Sequence, residues 1–170
     1  MVMQESLIGE FDLSKSDTHK ACKIVYPILA IAWMGLIFFM SSRNGEQSSS
    51  MSDTLCMWIG SIFIKSWKMY TASDKAAFVE SISFCVRKTA HMTEYAILMV
   101  FVYQSFRARG KCGWKAFFLA LAICAAYAAS DELHQMFVGE RSPQVRDVMI
   151  DTCGAAIGGL LVRGFGKYCR

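Results

Sequence analysis

Four short blocks of this 170-residue chain hold its chemically capable residues. One is Ser41-Ser42-Arg43-Asn44-Gly45-Glu46-Gln47-Ser48, and another is Arg87-Lys88-Thr89-Ala90-His91-Met92-Thr93-Glu94-Tyr95. A third is Ser130-Asp131-Glu132-Leu133-His134-Gln135-Met136-Phe137, and the last runs from Arg141 to Asp147 and Asp151. On helices, Arg87, His91 and Glu94 fall at i, i+4 and i+7, along one face. Asp131, His134 and Gln135 share a second face, and Asp147 and Asp151 a third. His91, Glu94, Asp131 and His134 are candidates for general acid and base work. They are also weak candidates for metal ligation, since zinc and manganese accept such nitrogen and oxygen donors. The spacing matches no HExxH-like signature, so no metal and no other cofactor is expected. Arg87, Lys88 and Arg141 suit a phosphate or pyrophosphate, the arginines bidentately. Ser42, Gln47, Arg87, Lys88, His91, Glu94, Asp131, His134, Gln135, Arg141, Asp147 and Asp151 read as one ligand-binding set.

The elements that carry these blocks are apolar. Hydrophobic residues make up 54% of the chain and charged ones 19%, and mean hydropathy is +0.32. Soluble domains carry about 25% charged residues, so the composition points to a membrane. A net charge of +4, dispersed along the chain, is no nucleic-acid footprint, and no nucleic-acid partner is expected. The seven cysteines form no CxxC pair and an odd total, which argues against a zinc site or a disulfide framework. Cys56 and Cys85 are the one pair left open, and Cys124 and Cys153 read as small hydrophobes.

Apolar runs over Ile24–Met40, Cys85–Phe106, Trp114–Ser130 and Val148–Phe165 predict four spans of roughly 17–25 residues each. The fold expected is an all-α four-helix membrane bundle, with residues 1–23 as an N-terminal cytoplasmic tail and 24–170 as the transmembrane domain. Between the first two spans, Ser48–Ser52 reads as a loop, with Ser52 or Asp53 capping the next helix. Leu55, Ile59, Ile62 and Phe63 then mark an apolar helical face, with Trp58 and Trp67 beside it. Thr54–Trp67 is short for a span and suits a helix lying at the interface, although a fifth span stays open. Asp74–Val86, capped by Ser73 or Asp74, predicts a second short helix leading into the second span.

With four spans, the first and third end, and the second and fourth begin, on one leaflet, so the four polar blocks meet there. Arg107–Lys115 packs four cations into nine residues, which the positive-inside rule assigns to the cytoplasm. Both termini then lie inside and the polar blocks at the outer leaflet. An ionisable residue at membrane depth costs about 2.5–3.5 kcal/mol on insertion scales and usually marks a site. Glu94 and Asp151 are the two that an interfacial position explains least well.

The chain resembles the VanZ-like family of small membrane proteins. The residues that carry the likeness are the serine-rich turn (Ser41, Ser42, Gln47, Ser48, Ser52), Arg87-Lys88-x-x-His91-x-x-Glu94-Tyr95, Asp131-Glu132-x-His134-Gln135-x-Phe137 with Arg141, and Asp147-x-x-x-Asp151-x-x-Gly154. Val138-Gly139-Glu140-Arg141 stands where a Pro-Gly-Arg-like turn is expected. The resemblance covers roughly residues 24–165. It implies a cell-membrane protein linked to low-level teicoplanin resistance, and it implies no settled chemical activity.

Two functional readings and one structural reading follow. The blocks form a pocket for an amphiphile: membrane lipid, a lipid-linked cell-wall precursor or an acylated glycopeptide. Alternatively, the chain is an integral-membrane hydrolase or transferase acting on such a precursor. The structural reading makes the same residues interhelical ion pairs and hydrogen bonds, worth about 0.6 kcal/mol each. Gly154-x-x-x-Gly158 is a small-xxx-small pattern that lets another helix approach closely, within the bundle or in a dimer.

Overall fold

A computed structural model describes the backbone of residues 2–42, 45–137 and 144–165, and the side chains of 18–42, 49–137 and 144–165. Gln47, as a side chain, and Arg141 therefore lie outside the described residues, as do the Val138–Arg141 turn and Cys169. The described residues form five α-helices and no strand: α1 (Val2–Ser41), α2 (Gly45–Phe63), α3 (Ala72–Arg107), α4 (Gly113–Gln135) and α5 (Val145–Phe165). A 3-10 turn, Trp67–Met69, links α2 to α3.

Among the described residues, three helices are long and apolar enough to cross a membrane: Thr18–Ser41 within α1, then α4 and α5. The expected second span falls within α3, which does not meet that measure because Arg87, Lys88, His91 and Glu94 interrupt its apolar run. These charges are tolerable because α3 is the central helix. Among the described residues it packs against α1, α2, α4 and α5, whereas α1 and α5 do not pack on each other. Its neighbours shield what lipid would otherwise face. At 36 residues and 1.5 Å per residue, α3 is about 54 Å long, well beyond the roughly 30 Å of a hydrocarbon core.

Several local expectations change. The N-terminal tail is helical from Val2 and continuous with the first apolar run. α2 begins at Gly45, so Ser52 and Asp53 lie inside it instead of capping it. Its Leu55, Ile62 and Phe63 point outward, while Ser52, Cys56 and Gly60, four residues apart, are the positions that face inward. Small residues permit that close approach; the bulky ones cannot fit there. The six-membered edge of Trp67 lies over Gly60, where an added Cβ would come within 2.6 Å of its Cζ3. Trp67 is thus buried, with Phe78 and Tyr70 against it. Cys56 is buried, Cys85 is exposed, and both are free thiols.

The segment expected as a separate short helix is the first part of α3. It is capped by Thr71, not by Ser73 or Asp74, in a reciprocal box. Asp74 Oδ2 accepts from Thr71 Oγ1 at 2.7 Å and from Thr71 N–H at 3.0 Å, and Thr71 Oγ1 accepts from Asp74 N–H at 3.2 Å. The Thr71 hydroxyl, and then its N–H, hold the Asp74 carboxyl below its ordinary range. A carboxyl depressed by folding adds stability above its unfolded pKa, and that stability is lost as pH falls through the folded pKa. Thr71→Ala is therefore expected to move the Asp74 titration, followed by NMR of its carboxyl carbon, back up toward the ordinary value. An unmoved midpoint would mean that the cap does not act on the carboxylate.

The core is built from one face of α3 (Tyr95, Leu98, Met99, Val102) against a stripe of α4 (Phe117, Ala120, Cys124, Ala128) and Ala155 of α5. Bulky residues such as Phe118, Leu160 and Leu161 point outward. In α5 the small residues lie inside and the large ones outside, the arrangement membrane helices use where close packing replaces the hydrophobic drive. Gly154 and Gly158 carry it furthest. A Cβ on Gly154 would meet the backbone of Met92, and one on Gly158 the backbone of Ala96. The small-xxx-small pattern serves packing within the bundle.

α1 is held differently. Trp33 Nε1–H donates to the Glu94 carbonyl of α3 at 2.9 Å, and the Tyr127 hydroxyl of α4 donates to the Met34 carbonyl at 2.5 Å. Both are side-chain bonds to backbone oxygen.

Candidate functional site

The polar blocks come together where α1 ends, α4 ends and α5 begins, against the middle of α3. Gln135 of α4 donates its amide to Ser41 Oγ of α1 at 2.8 Å and to Asp131 Oδ2 at 3.1 Å. These groups are buried, and the one amide uses its pair of N–H bonds to reach both, while Asp131 Oδ1 has no hydrogen-bond partner among the described residues. Glu132 accepts the Gln144 N–H at 3.0 Å, which ties the end of α4 to the residue preceding α5. Lys88 Nζ of α3 lies 2.6 Å from Asp147 Oδ2 of α5, and Arg87 donates to Ser49 Oγ of α2 at 3.3 Å.

Between α3, α4 and α5 these contacts enclose a cavity of about 240 Å³. Arg87, Lys88 and His91 line it from α3, Glu132 and Gln135 from α4, and Asp147 and Asp151 from α5. Phe84, Gln144 and Arg146 complete the wall. Arg87 Nε and Asp147 Oδ1 are buried atoms with no hydrogen-bond partner among the described residues, a state that native proteins keep rare and that usually marks a place for water or ligand.

Of the expected site residues, Arg87, Lys88, His91, Gln135, Asp147 and Asp151 line this cavity. Asp131 is buried behind Gln135. Glu94 stands back from the cavity wall, with its carboxylate 3.4 Å from His91 Nδ1. Ser42 and His134 are elsewhere: they meet each other at 3.1 Å, and the His134 ring stacks on Phe38 with centroids 4.3 Å apart. His134 is therefore turned toward α1 and away from the cavity. Among the described residues, no three His, Cys, Asp or Glu side chains converge to hold a metal. The arrangement suits charge recognition: cations and carboxylates in one small space, held by pairs that join α3 to α5, α3 to α2 and α4 to α1.

Glu132, Arg146 and Phe84 were not foreseen as site residues. Glu132 had a usable signal. The α4 core stripe of Phe117, Ala120, Cys124 and Ala128 extends by the same three- and four-residue steps to Asp131, Glu132 and Gln135, and it passes by His134. Arg146 had none, since nothing local distinguishes it from an exposed cation such as Lys68.

No curated protein and no solved structure matches this chain. One family model does, over residues 26–166, a stretch that holds every helix lining the cavity and most of the chain. The chain thus belongs to the VanZ/LLP1 family.

Proposed function

We propose that this VanZ/LLP1 protein is a multi-pass protein of the cell membrane that lowers susceptibility to teicoplanin-type lipoglycopeptides by recognising an amphiphilic or lipid-linked ligand. On this reading α3 is the fourth span, both termini are cytoplasmic, and the cavity opens at the outer leaflet. Family membership supports the resistance link. The observation that carries the binding role is the cavity, in which Arg87, Lys88 and Arg146 share about 240 Å³ with Glu132, Asp147 and Asp151. Six charges around one void exceed what packing needs, because a polar contact between membrane helices contributes only about 0.6 kcal/mol. The outward Leu55, Trp58 and Phe63 of α2 suit a helix lying at the membrane surface.

The test is drug susceptibility in a host expressing the chain, with variants compared at matched membrane abundance. Wild type is expected to raise the inhibitory concentration of teicoplanin and not that of vancomycin. Asp151→Asn, in the cavity wall, should abolish the rise, and Glu94→Gln, set back from it, should keep most of it. A rise that survives Asp151→Asn would separate the phenotype from this cavity. No rise in wild type would sink the resistance role.

A further inference from the structure

We infer that the cavity is sorted by charge for a head group with a primary ammonium at its tip and a phosphate behind it, as in phosphoethanolamine. The inference rests on the reading that this cavity takes an amphiphile's head group. Its rim is basic. Arg146 is exposed, with its guanidinium carbon 5.3 Å from the centre of the half-exposed Phe84 ring. Lys88 Nζ is 5.7 Å from the same centre.

The floor is acidic apart from Arg87 of α3, which is half-buried and donates away from it to Ser49 of α2. Glu132 is 7% exposed and Asp151 is 5% exposed, with the buried Gln135 amide in the same wall. Asp151 lies in this floor, on α5, facing α3 and α4 across the cavity. The charged groups that act on it are His91 from α3, Asp131 and Glu132 from α4, and Asp147 from its own helix. Three of these four are carboxylates, and the fourth, His91, lies within 3.4 Å of its own acidic partner, Glu94. Asp147 is matched by Lys88. What remains is a buried carboxylate set among other carboxylates, which is the setting that a cation fills.

The order of the charges selects the ligand. In an aminophospholipid the ammonium is the outermost group, the phosphate follows, and the acyl chains trail. Entering tip first, the ammonium reaches Asp151 and Glu132, the phosphate stops at Arg146 and Lys88, and the chains stay outside. A volume of about 240 Å³ takes a head group and not its chains. Three N–H donors suit carboxylates. A trimethylammonium has none and is recognised by aromatic cages, whereas the aromatic ring here lies at the rim beside the cations. The same chemistry is offered by phosphatidylethanolamine and by soluble phosphoethanolamine.

The full chain, purified in detergent and read by native mass spectrometry, would be titrated with phosphatidylethanolamine, phosphatidylcholine and phosphatidylglycerol of matched chains. Phosphatidylethanolamine is expected to bind about ten-fold tighter than the other two, the size of one charged hydrogen bond. Asp151→Asn and, independently, Glu132→Gln should erase that preference, while Arg146→Gln should weaken all three lipids alike. Soluble phosphoethanolamine that displaces the lipid places the recognition in the head group alone; failure to displace assigns it to the lipid, and either supports the inference when the ethanolamine preference is present. Equal binding of the three lipids, still weakened by Arg146→Gln, overturns the ammonium assignment and leaves the amphiphile pocket standing. No retained lipid, with no effect of Arg146→Gln, overturns both.

Discussion

Gly154→Leu is expected to destabilise the bundle by about 3 kcal/mol, and Gly158→Leu by a similar amount, at the upper end of the overpacking range. A Cβ at position 154 would lie 2.7 Å from Met92 Cα, and one at 158 would lie 2.8 Å from Ala96 Cα. Both obstacles are main chain, so no rotamer change relieves them and α5 must move off α3. That movement would also separate Asp147 from Lys88 and open the cavity, so ligand binding should fall with stability. Gly35→Leu is the control, because nothing lies within 4 Å of a Cβ there. Unfolding midpoints in mixed micelles decide it. Equal midpoints for Gly154→Leu and Gly35→Leu would refute the close α3–α5 contact.

The second large effect is expected from Lys88→Met, a loss of about 2 kcal/mol. Breaking a buried ion pair by removing one partner costs roughly 3–5 kcal/mol, and the Lys88 and Asp147 side chains are 18% and 21% exposed, which reduces the penalty. The cost arises on the partner's side. Without Lys88, Asp147 keeps one oxygen that already lacks a hydrogen bond and gains a second, beside Asp151 and Glu132. Lys88→Met combined with Asp147→Asn should therefore recover more than half of the loss. A double-mutant cycle measured on the same unfolding signal isolates the pair. Additive losses would mean that the two side chains stabilise the bundle independently.

What was legible in the sequence was which segments meet. Lys88, Asp147, Ser41 and Gln135 sit at apolar-run boundaries, and alternation of chain direction brings such boundaries together. How far each helix is rotated was less legible. The faces assigned to Asp131, His134 and Gln135 differ by one position from the one that packs, because Glu132 lies next in sequence to the expected member. Within one helix a step of one residue is about 100° of rotation. Only the core stripe from Phe117 to Ala128 settles it. In α2, serines suggested a loop, but packing on α3 favours the small residues Ser52, Cys56 and Gly60 and makes them part of a helix. Capping was ambiguous for a local reason: Thr71, Ser73 and Asp74 are all competent caps, and Thr71 alone has an acid three residues on. The pairing of Arg146 with the Phe84 rim spans distant segments and left no local trace.

The attachment of α1 has a consequence for how its sequence can drift. Trp33 and Tyr127 each grip a carbonyl oxygen, which every residue supplies. The informative letter at each joint is the donor alone, so Met34 and Glu94 are interchangeable with other residues as far as these bonds are concerned. These two joints are each specified on one side only, unlike the contact of Gln135 with Ser41 at the end of α1, which needs a particular side chain on both helices.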